Sequence, residues 1–194
     1  MLYLFVVIIT FEGIDGVGKT TQMKFASKLL AKLGVDHITT QEFGGDDTRI
    51  NFRSLFMHEL SDMEELMVVS LARIWHKNHL IQPALNSGKS ILIDRYTEST
   101  WAYQHGGRGI DAEVIQFLED KVWQVPKPDL VIYLAGKSNR TKKNDRFELE
   151  VESFFDRVTN VYESRKSANW FKVEGSDFTE VRNCIENKLK QMFA

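Results

Sequence analysis

The sequence predicts an α/β fold, with a five-stranded parallel sheet covered by helices on both faces. Apolar runs of strand length alternate with longer helical patterns, which is the order expected for such a sheet. A glycine-rich segment, 13–20, joins the first apolar run directly to the first helical pattern. The chain has 194 residues, of which 43% are hydrophobic and 27% charged. We therefore expect one domain over 1–194.

Each predicted element has a local signal at one or both of its ends. Strands are predicted at 3–11, 35–40, 90–93, 130–134 and 170–173. Helices are predicted at 20–33, 49–57, 62–85, 111–123, 147–167 and 178–192. Gly34 and Gly88 follow helical patterns as left-handed caps, and Ser61 or Asp62 begins the third helix, as Asp111 begins the fourth. Residues 96–109 mix polar, aromatic and glycine residues and are assigned to neither class.

The segment 13–20 fits G-x-x-x-x-G-K-[ST] at every fixed position. Between a strand and a helix, this pattern predicts a phosphate-binding loop and a three-layer P-loop NTPase fold. Glycines let successive N–H groups point at phosphate oxygens, and the next helix offers its positive end. The residues predicted to bind ATP are Gly13, Ile14, Asp15, Gly16, Val17, Gly18, Lys19, Thr20 and Thr21. We expect Lys19 to be solvent-accessible and to reach the β- and γ-phosphates, and the Thr20 hydroxyl to ligate Mg²⁺.

Asp94 and Arg95 follow the third strand, on the sheet edge where ligands bind in such folds. An acid there can hold metal waters or orient a nucleophile, and an arginine can clamp phosphate with two hydrogen bonds. A structural ion pair is the alternative for these two residues. Asp15 adds a negative charge beside the phosphates and needs a partner such as a sugar hydroxyl or Mg²⁺, or else it stabilises the turn.

Five basic residues follow the fourth strand: Lys137, Arg140, Lys142, Lys143 and Arg146. They lie on the same edge of the sheet as the phosphate-binding loop. Arginines on a mobile segment stabilise the charge that spreads over a transferring phosphoryl group. We therefore favour a short basic lid over approximately 136–147, with a solvated charged face as the alternative.

Arg73 lies within a long, mostly apolar helical pattern. A buried arginine needs a partner, and one that points into a cleft can hydrogen-bond to the edge of a base. The alternative is a surface residue whose aliphatic stem packs against the core.

The composition argues against several other classes of protein. A formal net charge of −2 argues against a surface that coats nucleic acid. Cys184 is the only cysteine, so neither an intrachain disulfide nor a cysteine metal site is expected, which favours a cytoplasmic location. The apolar run 2–11 is too short to span a membrane and lacks the features of a secretory signal.

The chain resembles the thymidylate kinase family over nearly its whole length. The most specific match is Ser99-Thr100-Trp101-Ala102-Tyr103-Gln104, followed by the glycine-rich segment 106–111. The other matching segments are 11–22, 72–73, 81–85, 94–96, 145–148 and 154–158. The resemblance implies transfer of the γ-phosphate of ATP to dTMP with Mg²⁺, in a homodimer that binds small molecules, not nucleic acid or membranes.

The resemblance also implies roles on the acceptor side. Asp15 would bind the 3′-hydroxyl of the sugar, and Tyr103 would crowd the 2′ position and favour deoxyribose. Arg73 would contact the thymine and phosphate region. Thr100 and Gln104 would line the base pocket.

A second set of implied roles concerns the transferring phosphates. Asp94 and Arg95 would position the waters bound to the metal ion and these phosphates. The family carries its catalytic arginine either in the phosphate-binding loop or in the lid. Since the segment 13–20 holds no arginine, the resemblance makes Arg140 and Arg146 the candidates.

Three features depart from the family pattern. The segment 41–45 reads Gln-Glu-Phe-Gly-Gly in place of Arg-Glu-Pro-Gly-Gly, so Gln41 replaces an arginine that grips the acceptor phosphate. Val69 replaces the aromatic residue that stacks on thymine, and the lid is shorter by roughly seven residues, about two helical turns. The possible substitutes are Arg49, Arg53 or Arg73 for the charge, and Phe43, Phe52 or Phe56 for the stack.

Two alternatives follow from these departures. One is a deoxynucleoside monophosphate kinase of broader specificity, and the other is a non-catalytic P-loop module, against which the intact Lys19, Thr20, Asp94 and Arg95 argue. A GTPase switch would need an Asn-Lys-x-Asp motif, which the sequence lacks. A helicase-type motor would want Asp-Glu where Asp94-Arg95 stands.

Overall fold

The computed structural model describes residues 6–42, 51–136, 150–165, 167–175 and 177–193. It contains one five-stranded sheet in the order β2-β3-β1-β4-β5, and every neighbouring pair is parallel. The strands are β1 (Ile8–Glu12), β2 (His37–Gln41), β3 (Ser90–Asp94), β4 (Leu130–Ala135) and β5 (Trp170–Glu174). The predicted five-stranded parallel sheet is therefore confirmed.

The helices connect successive strands. They are α1 (Lys19–Lys32), α2 (Asp62–His76), α3 (Gln82–Asn86), α4 (Thr97–Thr100), α5 (Ala112–Phe117), α6 (Glu152–Ser164) and α7 (Phe178–Met192). Turns of π-helix continue α2, α4 and α5 over Lys77–Ile81, Trp101–Gly107 and Leu118–Trp123, and Phe52–Met57 forms a 3-10 helix. No helix in these described ranges is both long and apolar enough to cross a membrane.

The central strands are buried on both faces, because side chains alternate between the two sides of a sheet. Ile9 and Phe11 of β1 pack into the cluster that also holds buried residues of α1 and α7. Ile8 packs on the opposite face, with Ile81 and Ile91. Helices therefore cover both faces, as the sequence predicted.

Several predicted boundaries move in the structure. The first strand begins at Ile8, not at residue 3, and the helix predicted from 147 begins at Glu152. The long helix predicted over 62–85 is helical throughout but changes to π-helix at Lys77–Ile81, just before Pro83, which has no backbone N–H to donate. Ser61 begins it with a complete capping box.

The largest difference concerns residues 96–109, which were assigned to neither class. They contain α4 and the π-helical turn Trp101–Gly107, which is a substantial helical segment against the end of β3. The predicted helix 49–57 is a 3-10 helix over Phe52–Met57. Residues 43–50 and 137–149, which include 137–147 of the predicted lid, lie outside the described residues.

Candidate active site

A cavity of about 400 Å³ lies beyond the carboxyl ends of the strands, next to the loop that follows β1. Most of the predicted site residues line it: Asp15, Gly16, Gly18, Lys19, Thr20, Thr21, Arg73, Asp94, Arg95, Thr100, Tyr103 and Gln104. Three other loop residues support the site from behind. The carbonyls of Gly13 and Ile14 accept hydrogen bonds from site cations, and Val17 packs on the core.

The phosphate-binding loop needs its glycines for conformation and for space. Gly13, Gly16 and Gly18 all have positive φ angles, of 136°, 84° and 95°. A Cβ atom on Gly13 would also lie 2.6 Å from the carbonyl oxygen of Leu134. Gly18 is the N-cap residue of α1, and among the described residues no side chain caps this end of the helix. The N–H groups of its first turn are therefore available to a ligand.

Lys19 differs from the prediction of a solvent-accessible side chain, because only 6% of it is exposed. Its Nζ turns back over the loop and donates to the carbonyl oxygen of Ile14 at 2.8 Å. Burial, with the nearby positive charge of Arg95, lowers the pKa of Lys19 to about 7. The amine therefore lines the cavity in a setting where its charge is not fully compensated.

Thr20 and Asp94 meet at the other end of the loop. The Thr20 hydroxyl donates to Oδ2 of Asp94 at 2.5 Å, and Asp94 is the last residue of β3. Two oxygen ligands thus stand side by side beside the phosphate-binding loop. Oxygen ligands in small number, completed by waters and phosphates, are what Mg²⁺ prefers.

Arg95 lies at a strained turn and has a φ angle of 68°, which is rare for a residue other than glycine. Its Nη2 pairs with Oδ1 of Asp15 at 2.9 Å, and its Nη1 donates to Ser99 at 3.1 Å. Nη2 also donates to the Tyr103 hydroxyl at 3.3 Å. Among the described residues, Asp94 therefore hydrogen-bonds with Thr20 and Arg95 pairs with Asp15, and the roles predicted for Asp94 and Arg95 stay predictions.

Asp15 and Tyr103 close the middle of the cavity. The Tyr103 hydroxyl donates to Oδ2 of Asp15 at 3.3 Å, and the guanidinium of Arg95 lies 5.0 Å from the Tyr103 ring centre. Burial raises the pKa of Tyr103 well above its usual range, so the hydroxyl keeps its proton and donates.

Arg73 is only 1% exposed, which rules out the surface alternative. Its Nη2 pairs with Oε2 of Glu42 at 3.0 Å, and its guanidinium lies 4.4 Å from a ring centre of Trp123. Burial would raise the pKa of Glu42, but Arg73 and His76 outweigh it and hold that pKa below its ordinary value. Among the described residues, Nε and Nη1 of Arg73 have no hydrogen-bond partner.

The far wall carries the two departures from the family pattern. Gln41 and Val69 both line the cavity, and so do Arg53 and Phe56 of the 3-10 helix Phe52–Met57. Val69 and Phe56 belong to one buried cluster. Three of the proposed substitutes, Arg53, Arg73 and Phe56, thus line the cavity, whereas Phe43 and Arg49 lie outside the described residues.

Three buried carboxylates at the cavity escaped the sequence analysis as site residues: Glu42 lines the cavity, and Glu12 and Glu65 lie behind its wall. Glu12 accepts from the Tyr96 backbone N–H at 2.7 Å and from the Ser99 hydroxyl at 2.6 Å. Burial raises the pKa of Glu12 to about 7. Glu42 and Glu65 hold Arg73 and Gln104. A charged residue at the end of an apolar strand was the available signal for Glu12.

The predicted lid arginines, Arg140 and Arg146, lie outside the described residues, and their roles stay predictions. Among the described residues, no group of three or more histidine, cysteine or acidic side chains could hold a metal ion. A magnesium ion carried mainly by nucleotide phosphates needs only one or two protein ligands.

Comparison with known proteins gives a consistent answer over the same residues. The family model described as thymidylate kinase matches residues 11–185. A thymidylate kinase from Teredinibacter turnerae is 38% identical over 197 residues, covering 94% of this chain and 96% of that protein. One from Neorickettsia sennetsu is 38% identical over 156 residues, 80% of this chain and 78% of that protein.

A solved structure agrees with these sequence relatives. The crystal structure of thymidylate kinase from Ehrlichia chaffeensis superposes with a TM-score of 0.79 at 30% identity, covering 95% of this chain and 98% of that chain. Fold, family model and relatives coincide along almost the whole sequence, and the chain belongs to the thymidylate kinase family.

Proposed function

We propose that this chain transfers the γ-phosphate of ATP to dTMP, giving ADP and dTDP. The bond between the γ-phosphorus and the β,γ-bridging oxygen breaks, and a phosphate oxygen of dTMP forms the new bond. The observation that carries the proposal is that the phosphate-binding loop and the predicted acceptor residues line one cavity. A donor and an acceptor held in one cavity react as if in a single molecule.

On the donor side, the first turn of α1 offers backbone N–H groups to the phosphates of ATP. Lys19 exchanges its bond to the Ile14 carbonyl for phosphate oxygens, and Arg95 lines the cavity while it contacts the loop at Gly13 and Asp15. Preorganised donors of this kind stabilise the charge of the transition state. Arg140 or Arg146 of the lid would supply the catalytic arginine.

Mg²⁺ fits the donor set beside the loop. The Thr20 hydroxyl and the Asp94 carboxylate would hold the ion or its waters, in place of their present hydrogen bond. When bound, Mg²⁺ neutralises negative charge on the phosphates. Asp94 is fixed at the end of a fully buried strand, so its carboxylate is held in place before the nucleotide arrives.

On the acceptor side, Arg73 offers the unused donors Nε and Nη1. Both atoms are closed off from solvent in the ligand-free protein, so the guanidinium would shift toward the cavity before phosphate oxygens of dTMP accept from them. Asp15 and Tyr103 would meet the sugar. Phe56 supplies an aromatic ring to the wall that contains Val69, which partly replaces the missing stack.

A coupled assay of ADP release tests this function, with ATP, Mg²⁺ and each of dTMP, dUMP, dCMP and dGMP as acceptor. We expect dTMP to be a substrate and dGMP to be poor through its size. A second candidate, a deoxynucleoside monophosphate kinase of broader specificity, is favoured by the presence of Val69 and Gln41 in the cavity wall. Similar kcat/KM values for the three pyrimidines would select this second candidate, and no ADP release with any acceptor would refute both.

We also propose a cytoplasmic homodimer in which residues 1–194 form one domain. Support for the dimer comes from α2, whose inner face lines the cavity while Met63, Met67 and Leu71 form an exposed apolar stripe at helical spacing. Leu71→Lys should convert the protein to a monomer in light scattering after gel filtration. A wild-type monomer, or a variant that stays dimeric, would contradict this assignment.

A further inference from the structure

Gln104 separates the cavity from a buried carboxylate. Gln104 lines the cavity, whereas Glu65 of α2 is 0% exposed and lies behind it. Nε2 of Gln104 donates to Oε1 of Glu65 at 2.9 Å. The amide nitrogen therefore points away from the cavity, and the remaining polar atom of the side chain, Oε1, is left on the cavity side.

Glu65 is itself held in place. Nε of Arg108 donates to both of its oxygens at 3.2 Å, and Nη2 pairs with Oε2 at 3.1 Å. The Arg108 guanidinium also lies 4.8 Å from the Phe154 ring centre and pairs with Glu150. Contacts from two further parts of the chain thus fix the position of the carboxylate.

The chemistry of the pair fixes the orientation of the amide. An ionised carboxylate only accepts hydrogen bonds, whereas an amide has a donor end and an acceptor end. Turning the Gln104 amide over would place its oxygen against an oxygen of Glu65 with no proton between them. Inside the protein, such a contact loses a bond and leaves buried polar atoms unpaired.

We infer that Glu65 is a positioning residue for base specificity, because it makes Gln104 present an acceptor to the cavity. This inference rests on the proposed function and names its substrate class: bases with an N–H on the ring edge, as in thymine and uracil. The corresponding ring nitrogen of cytosine is an acceptor and would meet the Gln104 oxygen without a proton. Discrimination against cytosine should therefore depend on Glu65, whereas discrimination between thymine and uracil should not.

The test measures dissociation constants for dTMP, dUMP and dCMP by calorimetry, together with kcat/KM for each. In Glu65→Gln the new amide can donate or accept, so Gln104 is free to turn over. We expect the preference for dTMP over dCMP to fall by about tenfold, the loss expected for one hydrogen bond. The preference for dTMP over dUMP should stay unchanged, since both bases carry the same N–H.

Two further variants separate positioning from a general structural role. In a Gln104→Leu background, Glu65→Gln should change the dTMP to dCMP ratio no further, because the effect passes through Gln104. Glu64→Gln is the matched control, since it makes the same change at the neighbouring exposed residue of α2 and should retain the ratio. If Glu65→Gln does not fold, Glu65→Asp, which withdraws the acceptor, should shift the ratio in the same direction.

The outcomes are distinguishable from those of the proposed function. A wild type that releases no ADP with dTMP refutes the proposed function, while the binding ratios still test Glu65. Equal losses for all three nucleotides in Glu65→Gln, or an equal change of ratio in the Gln104→Leu background, would overturn this inference alone. Failure of the wild type to bind any of the three nucleotides would overturn both.

Discussion

ATP binding should be accompanied by proton uptake at Lys19. In the ligand-free protein, burial and Arg95 lower the pKa of Lys19 to about 7. Phosphate oxygens favour the charged amine and should return its pKa toward the ordinary value of 10.5. Between these two pKa values the complex binds a proton that the free protein lacks, so ATP affinity should fall as the pH rises through that window.

The expected size follows from the free pKa. At pH 8 only about a tenth of the free Lys19 carries a proton, so binding should take up about 0.9 proton per ATP. At pH 6 the amine is already charged in about nine-tenths of the molecules, and the uptake should fall to about 0.1. If the pKa of Lys19 rises by about three units on binding, ATP binding at high pH is weaker by roughly 4 kcal/mol than it is where Lys19 is already charged.

Calorimetric titration at pH 8 in buffers of different ionisation enthalpy measures this uptake directly. Lys19→Arg keeps its charge at every accessible pH, so it should bind without proton uptake, whereas Lys24→Met on the exposed face of α1 should behave as the wild type. Lys19→Ala should abolish turnover while the protein stays folded. A wild-type enthalpy that does not depend on the buffer at pH 8 would refute the argument.

Three other expectations concern the lid, the far wall and the buried carboxylate of β1. Arg140→Ala or Arg146→Ala should lower kcat by on the order of 10³ with little change in KM. If steady-state kinetics show that both variants lose less than tenfold in kcat, the basic cluster is only a solvated face. The double variant Val69→Phe, Gln41→Arg should bind dTMP more tightly in calorimetry and should prefer dTMP over dUMP more strongly than the wild type does. The reason is that an aromatic–base stack is worth ~1–3 kcal/mol and a charged hydrogen bond ~1.5–3 kcal/mol. Sharp rejection of dUMP by the wild type, with no gain in the variant, would contradict this expectation. Glu12 binds its proton more tightly in the folded protein, so the free energy of unfolding of the wild type should fall as the pH rises from 4.5 to 7. Urea unfolding at pH 5 and pH 8 should therefore show Glu12→Gln gaining stability relative to the wild type, by up to roughly 3 kcal/mol. A difference between the two proteins that does not depend on pH would contradict this expectation.

The sequence was sufficient to predict the features whose signals lie close together along the chain. The helix predicted over 178–192 matches α7 residue for residue, and Gly34 and Gly88 have the positive φ angles expected of left-handed caps. The phosphate-binding loop is a contiguous pattern of the same kind. Each of these features depends on residues within a few positions of one another, which is the range that pattern and propensity report.

The helical segment after β3 was missed because its glycines serve tertiary packing. Gly106 and Gly107 resemble loop residues in the sequence, yet a Cβ atom on Gly107 would lie 2.5 Å from the ring of Phe154 in α6. A Cβ atom on Gly106 would lie 2.7 Å from Val161 of the same helix. These glycines permit two helices to approach closely, and their partners lie about fifty positions away along the chain.

The acceptor side of the cavity depends on partners that no local pattern reveals. Three side chains of the cavity wall contact a buried glutamate: Arg95 contacts Glu12 through Ser99, Arg73 contacts Glu42, and Gln104 contacts Glu65. Burying a carboxylate is costly unless it is paired and hydrogen-bonded.

Each wall residue therefore stabilises the fold as well as facing the ligand. Removing Arg73 would leave Glu42 buried without its cation, a change that typically costs 3–5 kcal/mol when one partner of a buried pair is lost. A loss of activity in Arg73→Ala thus mixes lost ligand contacts with lost stability. Substitution of Thr20 likewise removes a ligand contact together with the hydrogen bond that its hydroxyl donates to the buried Asp94. The acceptor side consequently requires paired substitutions, which remove Arg73 together with Glu42 or Gln104 together with Glu65.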